Sequence, residues 1–215
     1  MTHSTVSLNQ LTAWLSSFEA LVTEHRAYLT ELDSAIGDAD HGANMARGMT
    51  AVMEKIGAGT AAVAVDELFK KVGMTLVTSV GGASGPLYGT FFLRFGMTAG
   101  AQASLDGPAL GTALRAGLEG VVARGKAEIG DKTMFDAMSP AVDAFDSAIS
   151  SGSDIAAATA VAFAAAQAGR DATEPLVARK GRSSYLGERS SGHLDPGATS
   201  SAFLFEALAS AITAG

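Results

Sequence analysis

Along most of the chain, apolar residues recur at the three-and-four spacing of an α-helix with one buried face. Leu8, Leu11, Trp14, Leu15, Phe18, Leu21, Val22, Tyr28, Leu29 and Leu32 follow that template and predict one long helix ending near Gly37. A second helix is predicted over about residues 42–56. A third carries Val65, Leu68, Phe69, Val72, Leu76 and Val77 and halts at Gly81-Gly82. Pro86 suits the first turn of a fourth, which continues through Phe91, Phe92 and Phe95. Leu110, Leu114, Leu118, Val121 and Val122 make a fifth, and Val142, Phe145 and Ile149 a sixth, with Ser139-Pro140 capping or kinking it near its start. The alanine-rich run DIAAATAVAFAAAQAG is a seventh, with Asp154 as N-cap and Gly169 as stop, and residues 198–213 an eighth. No segment shows a convincing period of two. The pattern predicts an all-α fold, an antiparallel array of eight helices in one domain spanning residues 1–215.

Composition narrows the possibilities. With 215 residues, 47% of them hydrophobic, the chain can bury one substantial core. A net charge of -7 argues against nucleic acid as a partner, because phosphate backbones require a basic surface. The absence of cysteine excludes disulfides, thiolate metal sites and a cysteine nucleophile, and is consistent with a reducing cytoplasm. Neither a signal peptide nor a membrane span is expected: the N-terminal segment lacks a basic region followed by an apolar one, and residues 155–168 are too short and too weakly apolar. Alanines such as Ala156, Ala160 and Ala164 let helices approach closely, so a site is expected at helix ends rather than between helices.

The polar chemistry concentrates in four such ends, at residues 33–44, 81–89, 125–134 and 179–197. In LDSAIGDADHGANMARG, Asp33, Asp38 and Asp40 gather around one turn with no lysine or arginine between Arg26 and Arg47. Asp33 falls in the last turn of a helix, where the dipole disfavours a carboxylate unless a cation compensates. The three could converge on one or two hard cations, for which oxygen is the natural ligand. An EF-hand is excluded, since the twelfth position counted from Asp38 is Met49 rather than glutamate. The other reading is a solvated acidic turn with Asp40 capping the next helix.

VGGASGPLYG has the composition of an anion cradle: Gly81, Gly82 and Gly85 permit close backbone approach, Ser84 offers a hydroxyl, and the following helix points its positive end at the loop. A plain interhelical turn is its alternative. GVVARGKA, residues 120–127, nearly spells a phosphate-binding P-loop, but Ala127 replaces the required Ser or Thr and a helix, not a strand, precedes it. ARKGRSSYLGERSSGHLDPGATS concentrates Arg179, Lys180, Arg182 and Arg189 in an acidic protein and ends at Asp195-Pro196-Gly197. A loop of this length is a lid, a binding segment or disordered chain. An acidic turn, a glycine-rich turn and a basic loop together describe a Mg-nucleotide site.

Four blocks, LDSAIGDADHGANMARG, GGASGPLYGTFF, GKAEIGDKTM and GRSSYLGERSSGHLDPGA, resemble in order the signature segments of the nucleotide-binding L subunit of dihydroxyacetone kinase. The resemblance runs from about Leu8 to the last helix. It implies an antiparallel eight-helix barrel with the nucleotide, ADP or ATP, at one end. It further implies two Mg2+ ions on Asp33, Asp38 and Asp40, and nucleotide contacts from His41, Gly42, Ala43, Asn44, Ala83 and Ser84. Gly125 and Met134 would lie by the adenosine, and Arg182, which would stabilise transferring charge, would close the site with Asp195, Pro196 and Gly197. The family often has glycine where Ala39 stands, which bears on the local turn conformation. No covalent nucleophile is implied on this chain. The implied partners are a K subunit that holds dihydroxyacetone and a phosphohistidine-carrying M subunit, with a homodimer also possible. Alternatives within the resemblance are an ATP-dependent kinase module with exchanging nucleotide and a non-catalytic nucleotide-binding regulator.

Overall fold

The long N-terminal apolar stripe folds as two helices, α1 (Leu8–Glu24) and α2 (Arg26–Ile36), in the computed structural model of the protein, which describes residues 5–58 and 62–214. His25 is at once the C-cap of α1 and the N-cap of α2, and its ring stacks on Phe203 with centroids 4.9 Å apart. The expected single helix is corrected on this point: a break of one residue hardly disturbs a spacing of 3.6, so the pattern passes over it. The chain continues with α3 (His41–Gly57), α4 (Val65–Ser79), α5 (Ser84–Ala99), α6 (Gly107–Gly125), α7 (Met134–Ser150), α8 (Ile155–Asp171) and α9 (Pro196–Thr213). Among the described residues there are thus nine α-helices instead of eight, and the all-α class stands.

Two short strands went unpredicted. β1 (Thr5–Ser7) pairs antiparallel with β2 (Ser104–Asp106), placing buried Val6 opposite buried Leu105. Three residues are too few to display alternation. Each strand runs directly into a capped helix: Ser7 forms a capping box with Gln10 at α1, and Asp106 accepts from the Ala109 amide at α6.

Two other boundaries moved for identifiable reasons. α7 begins at Met134, where Thr133 and Asp136 form a capping box, so Pro140 sits inside the helix rather than near its start. Proline cannot donate to the carbonyl four residues back, which is that of Asp136. Gly169 lies against this carbonyl: a Cβ there would come within 2.2 Å of the Asp136 oxygen. Gly169 is therefore a close-packing position between α7 and α8, and α8 continues past it to Asp171. Asp154 caps α8 as expected, accepting from the Ala157 amide.

Packing runs in a circuit: α1 against α3, then α4, α5, α6, α7, α8 and α9 in turn, with α9 returning to α1 and α2 lying against α3 and α9. The core is aromatic near Trp14, whose ring lies within 5.6–5.8 Å of Phe69, Phe92 and Phe95 and whose indole N–H donates to the Leu204 carbonyl at 2.8 Å. That bond satisfies the only polar atom of the side chain and pins α1 to α9. No helix among the described residues is long and apolar enough to cross a membrane.

Candidate functional site

Asp33 lies in the last turn of α2 and reaches over the turn that follows. Its Oδ2 accepts the backbone N–H of Asp40 at 2.8 Å and of His41 at 3.1 Å, so a residue in the preceding helix satisfies free amides at the start of α3. Asp40 occupies the N-cap position but makes no side-chain capping bond, leaving its carboxylate for other work. Carboxylate oxygens of Asp33, Asp38 and Asp40 all lie within 4.8 Å of one another. Like charges this close are costly unless cations sit among them, and an all-oxygen donor set suits Mg2+. Ala39, between the two later aspartates, has φ of 61°, a left-handed conformation that glycine adopts more easily.

The start of α3 faces the glycine loop. Gly81, Gly82 and Ala83 lead into α5, which begins at Ser84, two residues before the expected start at Pro86. Gly82 has φ of 64°, and a Cβ on Gly81 would press within 3.2 Å of the Asn44 amide. His41 bridges three elements: Nδ1 is 3.1 Å from Ser84 Oγ, and Nε2 is 2.9 Å from Ser200 Oγ on α9. Burial pushes its pKa down to about 4 against the opposing pull of Asp33 and Asp40, so the ring is neutral at neutral pH. Tyr88 continues the chain, its hydroxyl 2.8 Å from Ser200 and 3.1 Å from Ser201, and burial pushes its pKa up to about 12.

A cleft of about 250 Å³ opens beside this network. Eight expected residues line it: His41, Ala83, Ser84, Gly125, Met134, Asp195, Pro196 and Gly197. Leu87, Val121 and Ala127 add an apolar wall, and Lys132, Thr133, Lys180, Gly181 and Ser183 add polar groups. None of these last eight was expected from the sequence as a nucleotide contact, although Lys180 was noted among the basic residues of its loop. Lys132 and Thr133 stood inside the GKAEIGDKTM block and Leu87 inside GGASGPLYGTFF, which were usable signals; Val121 read as an ordinary apolar position of the fifth helix. Asp195 caps α9, accepting from the Ala198 amide at 2.7 Å, and burial pushes its pKa up to about 7.

The remaining expected residues sit outside the cleft. Arg182 lies on a 3-10 segment, Arg182–Ser190, with its Nε 3.1 Å from Asp38 Oδ2. The basic loop is thus an ordered strap tied to the acidic turn. Asn44 is buried behind Gly81, with its Oδ1 accepting from Arg47 at 2.6 Å. Gly42 packs on α2, where a Cβ would meet the Arg26 carbonyl at 2.1 Å, and Ala43 lines a separate groove along α2. Neither side-chain position faces the cleft, which limits both residues to main-chain roles.

Comparison with known proteins identifies the family. Residues 35–210 match the family described as the DAK2 domain. The chain is 45% identical over 204 residues to the PEP-dependent dihydroxyacetone kinase ADP-binding subunit DhaL of Escherichia coli, covering 95% of this chain and 97% of that protein. It is 46% identical over 195 residues to the PTS-dependent counterpart of Lactococcus lactis, with 91% and 93% covered. Among solved structures, the dihydroxyacetone kinase of C. freundii superposes with a TM-score of 0.73 at 28% identity, over 98% of this chain and 36% of that one. The same kinase in complex with AMP-PNP and Mg2+ gives 0.70 at 29% identity, over 95% and 34%. The chain spans about a third of that longer kinase. It therefore belongs to the DAK2-domain family, alongside the ADP-binding subunits of bacterial dihydroxyacetone kinases.

Proposed function

We propose that this chain is the nucleotide-carrying subunit of a dihydroxyacetone kinase. Its loops would hold Mg-ADP, which would supply the carrier for a phosphoryl group moving from a phosphohistidine of a separate M subunit to dihydroxyacetone on a K subunit. The observation that carries this reading is the convergence of three carboxylates within 4.8 Å of one another, next in the chain to His41, which lines a cleft together with Ala83 and Ser84 at the start of α5. Two Mg2+ ions on Asp33, Asp38 and Asp40 would neutralise the polyphosphate. The Ser84 end of α5 supplies backbone amides and positive dipole to the same phosphates. Leu87, Val121 and Met134 offer the adenosine an apolar slot that excludes water. Arg182, paired with Asp38 of the acidic turn, would stabilise charge on the transferring oxygens. Phosphoryl transfer depends chiefly on such positioning and charge neutralisation, so no covalent nucleophile is required of this chain.

Resident ADP, rather than exchanging ATP, is favoured by coverage. The chain matches nearly the full length of subunits named as PEP-dependent or PTS-dependent, whereas it matches only about a third of the kinase solved with AMP-PNP. The decisive experiment is native mass spectrometry of the purified chain, followed by reconstitution with phosphoenolpyruvate-charged phosphotransferase proteins and a K subunit. Retained ADP with two Mg2+ and phosphoenolpyruvate-driven turnover are expected. Turnover with ATP alone would support the exchanging form, and nucleotide binding without turnover would support a regulator.

A further inference from the structure

The basic strap has two roots, and both end on one buried ammonium. Lys132 is 1% exposed. Its three N–H groups are shared among four carbonyls, those of Thr173 at 2.9 Å, Glu174 at 3.3 Å and Leu176 at 3.1 Å, which precede the strap, and that of His193, which follows it. The neck between these roots is stitched further by Gly192 N–H to the Glu174 carbonyl, Ser191 Oγ to the Pro175 carbonyl and Ala178 N–H to Ser190 Oγ. Lys132 itself adopts φ of 63°, a left-handed conformation that glycine would hold without strain. The strained backbone is kept in place by what its side chain holds. Four carbonyls converging on one point would repel each other without a cation between them, so the ammonium organises the neck rather than merely filling it.

We propose that Lys132 is a positioning residue: it pins both roots of residues 177–192 and thereby sets Arg182 against the acidic turn at Asp38. The His193 carbonyl held by Lys132 lies two residues before Asp195, the N-cap of α9, so the pin also links the strap to the start of α9.

The test uses Lys132→Met in the full chain, with helical circular dichroism as the control for folding. Hydrogen exchange and trypsin cleavage at Arg179, Lys180, Arg182 and Arg189 report on the strap without any nucleotide. At least tenfold faster exchange and cleavage across residues 177–192, with helices unaffected, is expected. The second readout is the phosphoryl-transfer rate in a double-mutant cycle with Arg182→Ala. If Lys132 acts through Arg182, the double variant turns over no more slowly than Arg182→Ala alone. This readout rests on the nucleotide role proposed above and the first does not, so a chain that binds no nucleotide would fail only the second. Should Lys132→Met not fold, Lys132→Gly removes the ammonium while relieving the positive φ. A folded variant with an unchanged strap, additive losses in the cycle, or failure of both variants to fold would overturn the proposal.

Discussion

Arg182 Nε lies 3.1 Å from Oδ2 of Asp38, so the one basic strap of an acidic protein closes on its acidic turn. The two groups are separated by 144 positions in the chain (182 − 38) and come from the segments with the clearest polar chemistry. With the arginine 67% exposed, the pair is a weak contributor to stability, and its importance is positional. Replacing Arg182 by alanine should slow phosphoryl transfer about a thousandfold, the lower end of what a charge-stabilising arginine contributes. Metal content by inductively coupled plasma mass spectrometry should be unchanged. Unaltered turnover would remove Arg182 from the site.

Asp33 and Asp38 should behave differently on removal. Asp38→Ala takes away a proposed cation ligand at an exposed position, so nucleotide retention and kinase activity should disappear while the melting temperature hardly changes. Asp33→Ala also strips two backbone amides of their acceptor at the start of α3. Charge-assisted bonds of this kind contribute about 2 kcal/mol, which in a chain of this length lowers the melting temperature by roughly 4–8 °C. Differential scanning calorimetry of the two variants without metal separates the roles, and equal melting temperatures would contradict the capping function of Asp33.

Ala39 holds a positive φ in the middle of the acidic turn. An L-residue pays about 1 kcal/mol there, whereas glycine does not, although glycine loosens the unfolded chain. Ala39→Gly should therefore be neutral or raise stability by up to about 1 kcal/mol, and Ala39→Val should lower it. A chemical denaturation series measures both, and a destabilised glycine variant would show that the turn is not strained.

Asp195 links stability to pH. Its folded pKa is about 7 against an ordinary value of 3.8, because burial disfavours the charged carboxylate. Between those values the folded chain holds a proton that the unfolded chain has released. The resulting stability is fully present below about 3.8 and is lost as pH rises towards 7, with a slope of at most about 1.4 kcal/mol per pH unit from this single group. Asp195→Asn keeps a side-chain oxygen to cap α9 but cannot titrate. The difference in unfolding free energy between wild type and variant, followed from pH 5 to 8, should shrink or reverse as the wild type loses stability; a difference independent of pH would rule out the titration.

Helical class, most helix positions and the four polar loops were legible in the chain because each is a local property. A 3.6-residue stripe, a capping aspartate such as Asp154, or a pair of glycines states its preference within a few residues. The break at His25 was not legible, since it leaves the stripe intact. Nor was the role of Gly169, which looks like a helix stop but serves a close approach to the carbonyl that Pro140 leaves without its donor. Likewise the adjacent Gly42 and Ala43 read as part of the site by resemblance, yet their side-chain positions face α2.

What the sequence determined by itself was an all-α chain with three uncompensated aspartates, a glycine-rich turn and a basic loop, because charge, spacing and composition are written residue by residue. Only the tertiary structure decided that Asp33 caps the helix following its own turn, that His41 spans Ser84 and Ser200, and that one buried lysine gathers four carbonyls from both ends of the strap. These relationships join residues up to 159 positions apart, as between His41 and Ser200. Their energies come from burial and convergent hydrogen bonds that exist only once the helices have packed, so no local pattern in the chain encodes them.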